Sequence, residues 1–305
     1  MYTAGNWLCA AATGHLAGDN LTDIQIDNEN YITAMKRQNG QFIPYSILLY
    51  HHARMLRDGL CELDANPTNN IPTEEEALQQ AGSYPDFSML NKIYKLVRTY
   101  LFHQLNNVSL DIIDISSDIS KNKFQLRPDL LFGVYFEGLA SFYLARQTRG
   151  LEEKVKLIEK GDNVLTKLKY WSEHSTWNWE SKVVLLEAEK MYTVGNFDRA
   201  SLFYERALRV SREHKFINDE AISSELAGTF FSEQLDDVKA EALLLHSVQS
   251  YKTWGALAVA KRVETYIANK YGLDSVQRKP NSIVLESVFT ACNEDPSSKK
   301  RQIVS

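Results

Sequence analysis

The tightest constraint on this chain is a spacing. Val184, Ala188, Met191, Gly195, Phe197, Ala200, Tyr204 and Ala207 recur at three- and four-residue steps on either side of the tight turn Val194-Gly-Asn-Phe197. Residues three and four apart share one face of an α-helix, so the pattern predicts two antiparallel helices with matched faces. The small Ala188, Ala200 and Ala207 let their backbones approach closely, and Gly195 permits the left-handed turn between them. Phe197 and Tyr204 are expected to fill the space between this hairpin and the next. One such hairpin cannot bury both of its apolar faces, so several must stack.

The rest of the chain keeps the helical period. It predicts helices over 2–15, 20–36, 43–60, 87–104, 108–121, 129–146, 151–174, 178–193, 199–214, 219–233, 238–251 and 255–271. With 14 Gly and 7 Pro in 305 residues there are few chain-breakers, which excludes collagen-like and turn-rich all-β architectures. A degenerate second hairpin follows the first: Gly228, Phe231, Leu235, Ala240, Leu244 and Ser247, with Leu235 in place of the turn glycine. Residues 61–85 read as an irregular insertion, in which Thr73 and Glu74-Glu75-Glu76 start only a short helix. The helical domain is expected to span 1–272. Residues 273–305, ending in Lys299-Lys300-Arg301, read as a polar, disordered tail with at most a short helix at 282–289.

The hairpin intervals match a tetratricopeptide repeat, and the expected fold is an all-α superhelix of antiparallel helix pairs. A wider resemblance is carried by residues 218–231 (NDEAISSELAGTFF), by Ser250-Tyr-Lys-Thr-Trp-Gly-Ala256 and by Ala260-Lys-Arg-Val263. Glu187-Ala-Glu189, Glu205-Arg-Ala-Leu208, Tyr100-Leu-Phe102, Trp7 and Gly18-Asp-Asn-Leu21 fit it too. Together they resemble the tetratricopeptide-like region of large multi-domain signalling kinases. There a protein-kinase-like domain and an AAA-type ATPase precede the helical region, and a GAF sensor and histidine kinase often follow it. The resemblance implies a non-catalytic scaffold in a two-component-like signalling assembly, whose partners are the kinase and ATPase domains. The alternative is an independent adaptor that binds a peptide of an unrelated protein.

Chemistry-bearing motifs are sparse. No G-x-x-x-x-G-K-[ST] phosphate loop and no kinase catalytic loop or D-F-G triplet occurs, so neither an enzyme activity nor a cofactor is expected. His51 and His52 diverge by about 100° on a helix and do not converge on one ligand. Cys61 has no orienting triad. His174 reads as part of a packing cluster with Trp171, Trp177 and Trp179. Asp111, Asp114 and Asp118 share a helix face without the turn a cation loop needs, so no metal site is expected. The net charge of −5 gives no footprint for nucleic acid. Cys9, Cys61 and Cys292 form no C-x-x-C pair, and no leader or membrane span is read, so the expected location is the cytoplasm. In a tetratricopeptide solenoid the first helix of each pair lines a concave groove. By that geometry Lys182, Glu189 and Tyr192 are the expected partner-binding residues.

Overall fold

The computed structural model describes residues 2–36, 42–59, 71–82, 85–105, 114–122 and 128–290. Among the described residues the chain forms α-helices and no strand. They are α1 (Tyr2–Ala17), α2 (Leu21–Lys36), α3 (Ile43–Asp58), α4 (Glu74–Ala81), α5 (Pro85–Leu101), α6 (Ile115–Asn122) and α7 (Pro128–Gln147). Next come α8 (Leu151–His174), α9 (Thr176–Thr193), α10 (Phe197–Glu213), α11 (Ile217–Glu233), α12 (Asp237–Trp254), α13 (Leu257–Tyr271) and α14 (Ser282–Thr290). Consecutive helices pack as antiparallel pairs, so the fold is an all-α, tetratricopeptide-like helical solenoid.

Local chemistry explains the turns. Gly195 has φ 79° and closes α9, with its N–H donating to the Tyr192 carbonyl; Asn196 then accepts from the Arg199 N–H and starts α10. In the second hairpin Leu235 adopts the same left-handed conformation, φ 64°, and Asp236 caps α12 through the Lys239 N–H. Ala188, Ala200, Tyr204, Ala207 and Ala240 are fully buried, and Phe231 nearly so. Gly228 lies so near α12 that a Cβ there would sit 2.8 Å from Leu244 Cγ. Phe197 departs from expectation. It stands 6.2 Å from the Tyr192 ring but keeps 44% of its surface exposed, because it begins a helix at the tip of the hairpin.

In the inner row α3, α5, α7, α9 and α11 stand side by side, and the paired helices lie outside them. The row then returns on itself. α13 packs against α3, where a Cβ on Gly59 would lie 3.7 Å from Ala258 Cβ. The turn after α1 wedges into the remaining opening. Asn218 Nδ2 donates to the Leu16 carbonyl (3.2 Å), Asn20 Nδ2 to the Thr253 carbonyl (3.0 Å), and His15 stacks on Trp254. Among the described residues no open concave trough therefore remains. α7 and α11, which would have lined it, are buried around most of their circumference.

One expectation about the ends of elements is corrected. The segment from 273 is not a solvated tail over its described part: Leu273–Gln277 forms a 3-10 turn, and α14 packs on α10 and α12 with Val288 and Phe289 buried. Residues 291–305 lie outside the described residues. Within the 61–85 segment, α4 is the short helix expected from Thr73 and Glu74-Glu75-Glu76. Thr73 and Glu76 form a reciprocal capping box, and Ala77 and Ala81 are buried against α3 and α5. Residues 61–70 lie outside the described residues. No described helix is long and apolar enough to cross a membrane.

Candidate functional site

The inner helices run parallel, so their C-terminal ends emerge together at one end of the molecule. There Tyr100 (α5), His103 and Leu105 after it, Tyr143, Arg146 and Gln147 (α7), Glu189 and Tyr192 (α9), and Leu226, Thr229 and Glu233 (α11) enclose a pocket of about 190 Å3. Each side chain is placed by the last two turns or so of its helix. Tyr100, Tyr143 and Tyr192 thus stand at comparable heights around one opening.

Its charged groups are wired to one another. Arg146 Nη2 donates to Glu189 Oε2 (2.6 Å), Nη1 donates to Thr193 Oγ1 (3.0 Å), and the guanidinium lies 4.3 Å above the Tyr192 ring. The other Glu189 oxygen accepts from the buried Tyr204 hydroxyl. Burial alone would ease the proton off Arg146, but the Glu189 carboxylate outweighs it and holds the guanidinium above its usual range. Tyr192 donates to Glu233, and burial and that carboxylate both raise the phenol. Beneath the pocket, Glu225 (α11) accepts from Arg262 of α13 (2.7 Å) and Tyr251 of α12 (2.8 Å), with His103 Nε2 at 3.1 Å. Burial would push the Glu225 carboxyl up; Arg262 and His103 overcome this and bring it down to about 2. Tyr100 differs from these groups. It is 5% exposed, its phenol is raised by burial, and its hydroxyl has no hydrogen-bond partner among the described residues.

Around this end stands a broken collar of exposed apolar side chains, supplied by successive turns. Leu151 opens α8, Val194 and Phe197 flank the α9–α10 turn, Leu235 and Val238 flank the α11–α12 turn, and Leu273 follows α13.

The residues expected to bind a partner are separated by this geometry. Lys182 is not surface. It is 1% exposed, its ammonium donates to Asp219 Oδ2 (2.6 Å), and it lies 4.8 Å from the Phe216 ring. Ser181 donates to the same oxygen (2.6 Å). Glu189 is likewise buried, though it contributes to the pocket lining. The physical reason is the closure of the superhelix, which converts the inner face of α9 from groove into core. Tyr192 alone remains half-exposed at the opening. Gly195, Phe197, Ala200, Ala207, Gly228, Phe231 and Ala240 occupy hairpin positions with no part in the pocket lining.

The other candidates fall apart as sites. His51 Nε2 binds the Pro72 carbonyl (2.8 Å), whereas His52 Nε2 pairs with His15 Nε2 (3.1 Å) in the core. His174 is exposed at the end of α8 with its ring against Tyr170, so it is no packing residue; the cluster forms without it, between Trp171 and Trp179. Trp177 stacks on His214. Asp114 and Asp118 are ion-paired with Lys160 and Lys92, while Asp111 and Cys61 lie outside the described residues. Among the described residues no group of three or more His, Cys, Asp or Glu is placed to hold a metal ion.

Sequence reasoning missed Tyr100, Tyr143, Arg146, Glu225, Glu233 and Arg262. A signal existed for the tyrosines, since Tyr100, Tyr143 and Tyr192 each fall within the last turn or so of an inner helix. Comparison with known proteins finds no matching family model, no matching curated protein and no matching solved structure.

Proposed function

We propose that this chain is a non-catalytic helical-repeat module that binds a protein segment across the end of the molecule where the inner helices terminate. The observation that carries the reading is the pairing of a polar, aromatic pocket with a collar of exposed apolar side chains from successive turns. Exposed apolar side chains gathered round one concave site are characteristic of interaction surfaces. Binding is favoured over catalysis by the wiring of the charged groups. Both Glu189 oxygens are occupied, and Arg146 is held by Glu189 and Thr193. Neither offers the free acid, base or nucleophile that turnover needs.

The resemblance to kinase-associated helical regions supports placing the module in a cytoplasmic signal-transduction assembly, with kinase or ATPase domains as its partners. That placement is by analogy of sequence. The independent-adaptor reading uses the same surface with an unrelated partner.

A photo-crosslinking amino acid at Val238, compared with one at the outward-facing Tyr170, tests both statements in cells. The expected product forms only from position 238, carries kinase or ATPase domains, and is lost when Val194 and Leu235 are changed to Ser. Equal labelling from both positions would overturn the assigned surface. A specific product without kinase or ATPase domains would favour the adaptor. Purified chain that hydrolyses ATP would end the non-catalytic assignment.

A further inference from the structure

We infer that the pocket accepts a cationic side chain, a Lys or Arg flanked by apolar residues in the bound protein segment. The inference rests on the binding reading above and adds the chemistry of the anchor.

Charge is the first argument. The lining carries Arg146 and His103 with Glu189 and Glu233; Arg146 is held by Glu189 and His103 by Glu225 behind it, so Glu233 is the carboxylate left without an opposite charge. The backbone adds to this. α5, α7, α9 and α11 all direct their C-terminal ends at the opening, and each such end carries the negative pole of the helix dipole, about half an elementary charge. A carboxylate entering the pocket would meet this field with no free cation among the lining residues to receive it. An ammonium or guanidinium would be attracted.

Shape and hydrogen bonding are the second argument. At about 190 Å3 the pocket is smaller than the ~300–1,000 Å3 of sites for drug-sized ligands, and it suits one side chain. Tyr100 and Tyr143 line the space with aromatic rings, against which its stem and charge would pack. Tyr100 itself is buried and borders the space, with its hydroxyl covered. Glu233, exposed at the rim, supplies the counter-charge and is steadied by Tyr192. The apolar turns at Val194, Phe197, Leu235 and Val238 then fit apolar neighbours of the basic residue. This favours a protein segment over a free amine.

The test uses the whole chain and three blocked pentapeptides, acetyl-Ala-Leu-X-Leu-Ala-amide, with X as Lys, norleucine or Glu. Binding is followed by the ring resonances of the pocket tyrosines. The lysine peptide is expected to bind at least about tenfold more tightly than the norleucine peptide, as a charge-assisted contact implies. Its affinity should fall with added salt and drop about tenfold in Glu233→Gln. Because Glu233 is exposed, this variant should keep the wild-type melting temperature. Equal binding of the lysine and norleucine peptides, abolished together by Leu235→Ser with Val238→Ser, would overturn the cationic anchor and leave the binding surface standing. Preferential binding of the glutamate peptide would overturn the charge argument. No binding by any of the three would overturn both inferences.

Discussion

Leu235 shows what one residue can cost in a repeat. It holds φ 64°, a conformation that glycine adopts freely and that L-residues enter at roughly 1–2 kcal/mol. Its side chain is almost fully exposed and recovers little by packing. Leu235→Gly is expected to stabilise the chain by about 0.5–1 kcal/mol, read from urea denaturation midpoints. The sequence already marked Leu235 as the substituted turn glycine, because turn geometry is local. The roles of Lys182 and Glu189 were not legible in the same way. A charged residue on an inner helix is groove or core depending on what covers it, and the cover comes from elsewhere in the chain. Asp219→Ala would leave the Lys182 ammonium buried without its partner, a loss of about 3–5 kcal/mol. Changing Lys182→Met and Asp219→Leu together should lose less, which a double-mutant comparison of unfolding free energies would reveal.

At the scale of elements, periodicity carried most of the reading. α8 runs from Leu151 to His174 and α2 ends at Lys36, as the spacing predicts. The starts of α5 and α9 were placed late. Pro85 sits at the first turn of α5, where its missing N–H is harmless, and Thr176 opens α9 without a side-chain cap, so no capping signal marks it. Close helix pairing was legible through small residues, and Gly228 is the sharpest case. A methyl group there would meet both the Leu244 side chain and its backbone nitrogen, at 3.1 Å. Gly228→Ala should therefore cost about 1–3 kcal/mol despite the better helix propensity of alanine. Calorimetry on the variant would measure the cost. α14 was only partly legible, since its burial depends on the Arg212, His246 and Phe289 contacts with two other helices.

The whole molecule differs from the sequence reading in its closure. No local pattern announces that α13 meets α3 or that the α1–α2 turn fills the opening, because these contacts join residues far apart in the chain. Closure also buries His15 and His52 against each other. Burial lowers His15 to about 4, and burial, with His15 and Arg98 adding to it, lowers His52 well below its ordinary value. In the unfolded chain both titrate near 6.5. Between those values the unfolded state binds more protons than the native one, so stability is fully present above about pH 6.5 and falls as the pH drops toward 4. His15 alone should remove on the order of 3 kcal/mol across that window. Unfolding free energies at pH 7 and pH 4.5 should show the decline, and His15→Phe should flatten it.

The bonds from Asn218 to the Leu16 carbonyl and from Asn20 to the Thr253 carbonyl span 202 and 233 positions. During synthesis at about 5–20 residues per second, the turn between α1 and α2 therefore waits on the order of ten seconds or more for these two partners. An ordinary linear array matures repeat by repeat from its start. Here α1 can meet α7 once residue 147 is made, but the turn that follows it reaches its partners on α11 and α12 only after residue 254, so the contacts that close the molecule come last.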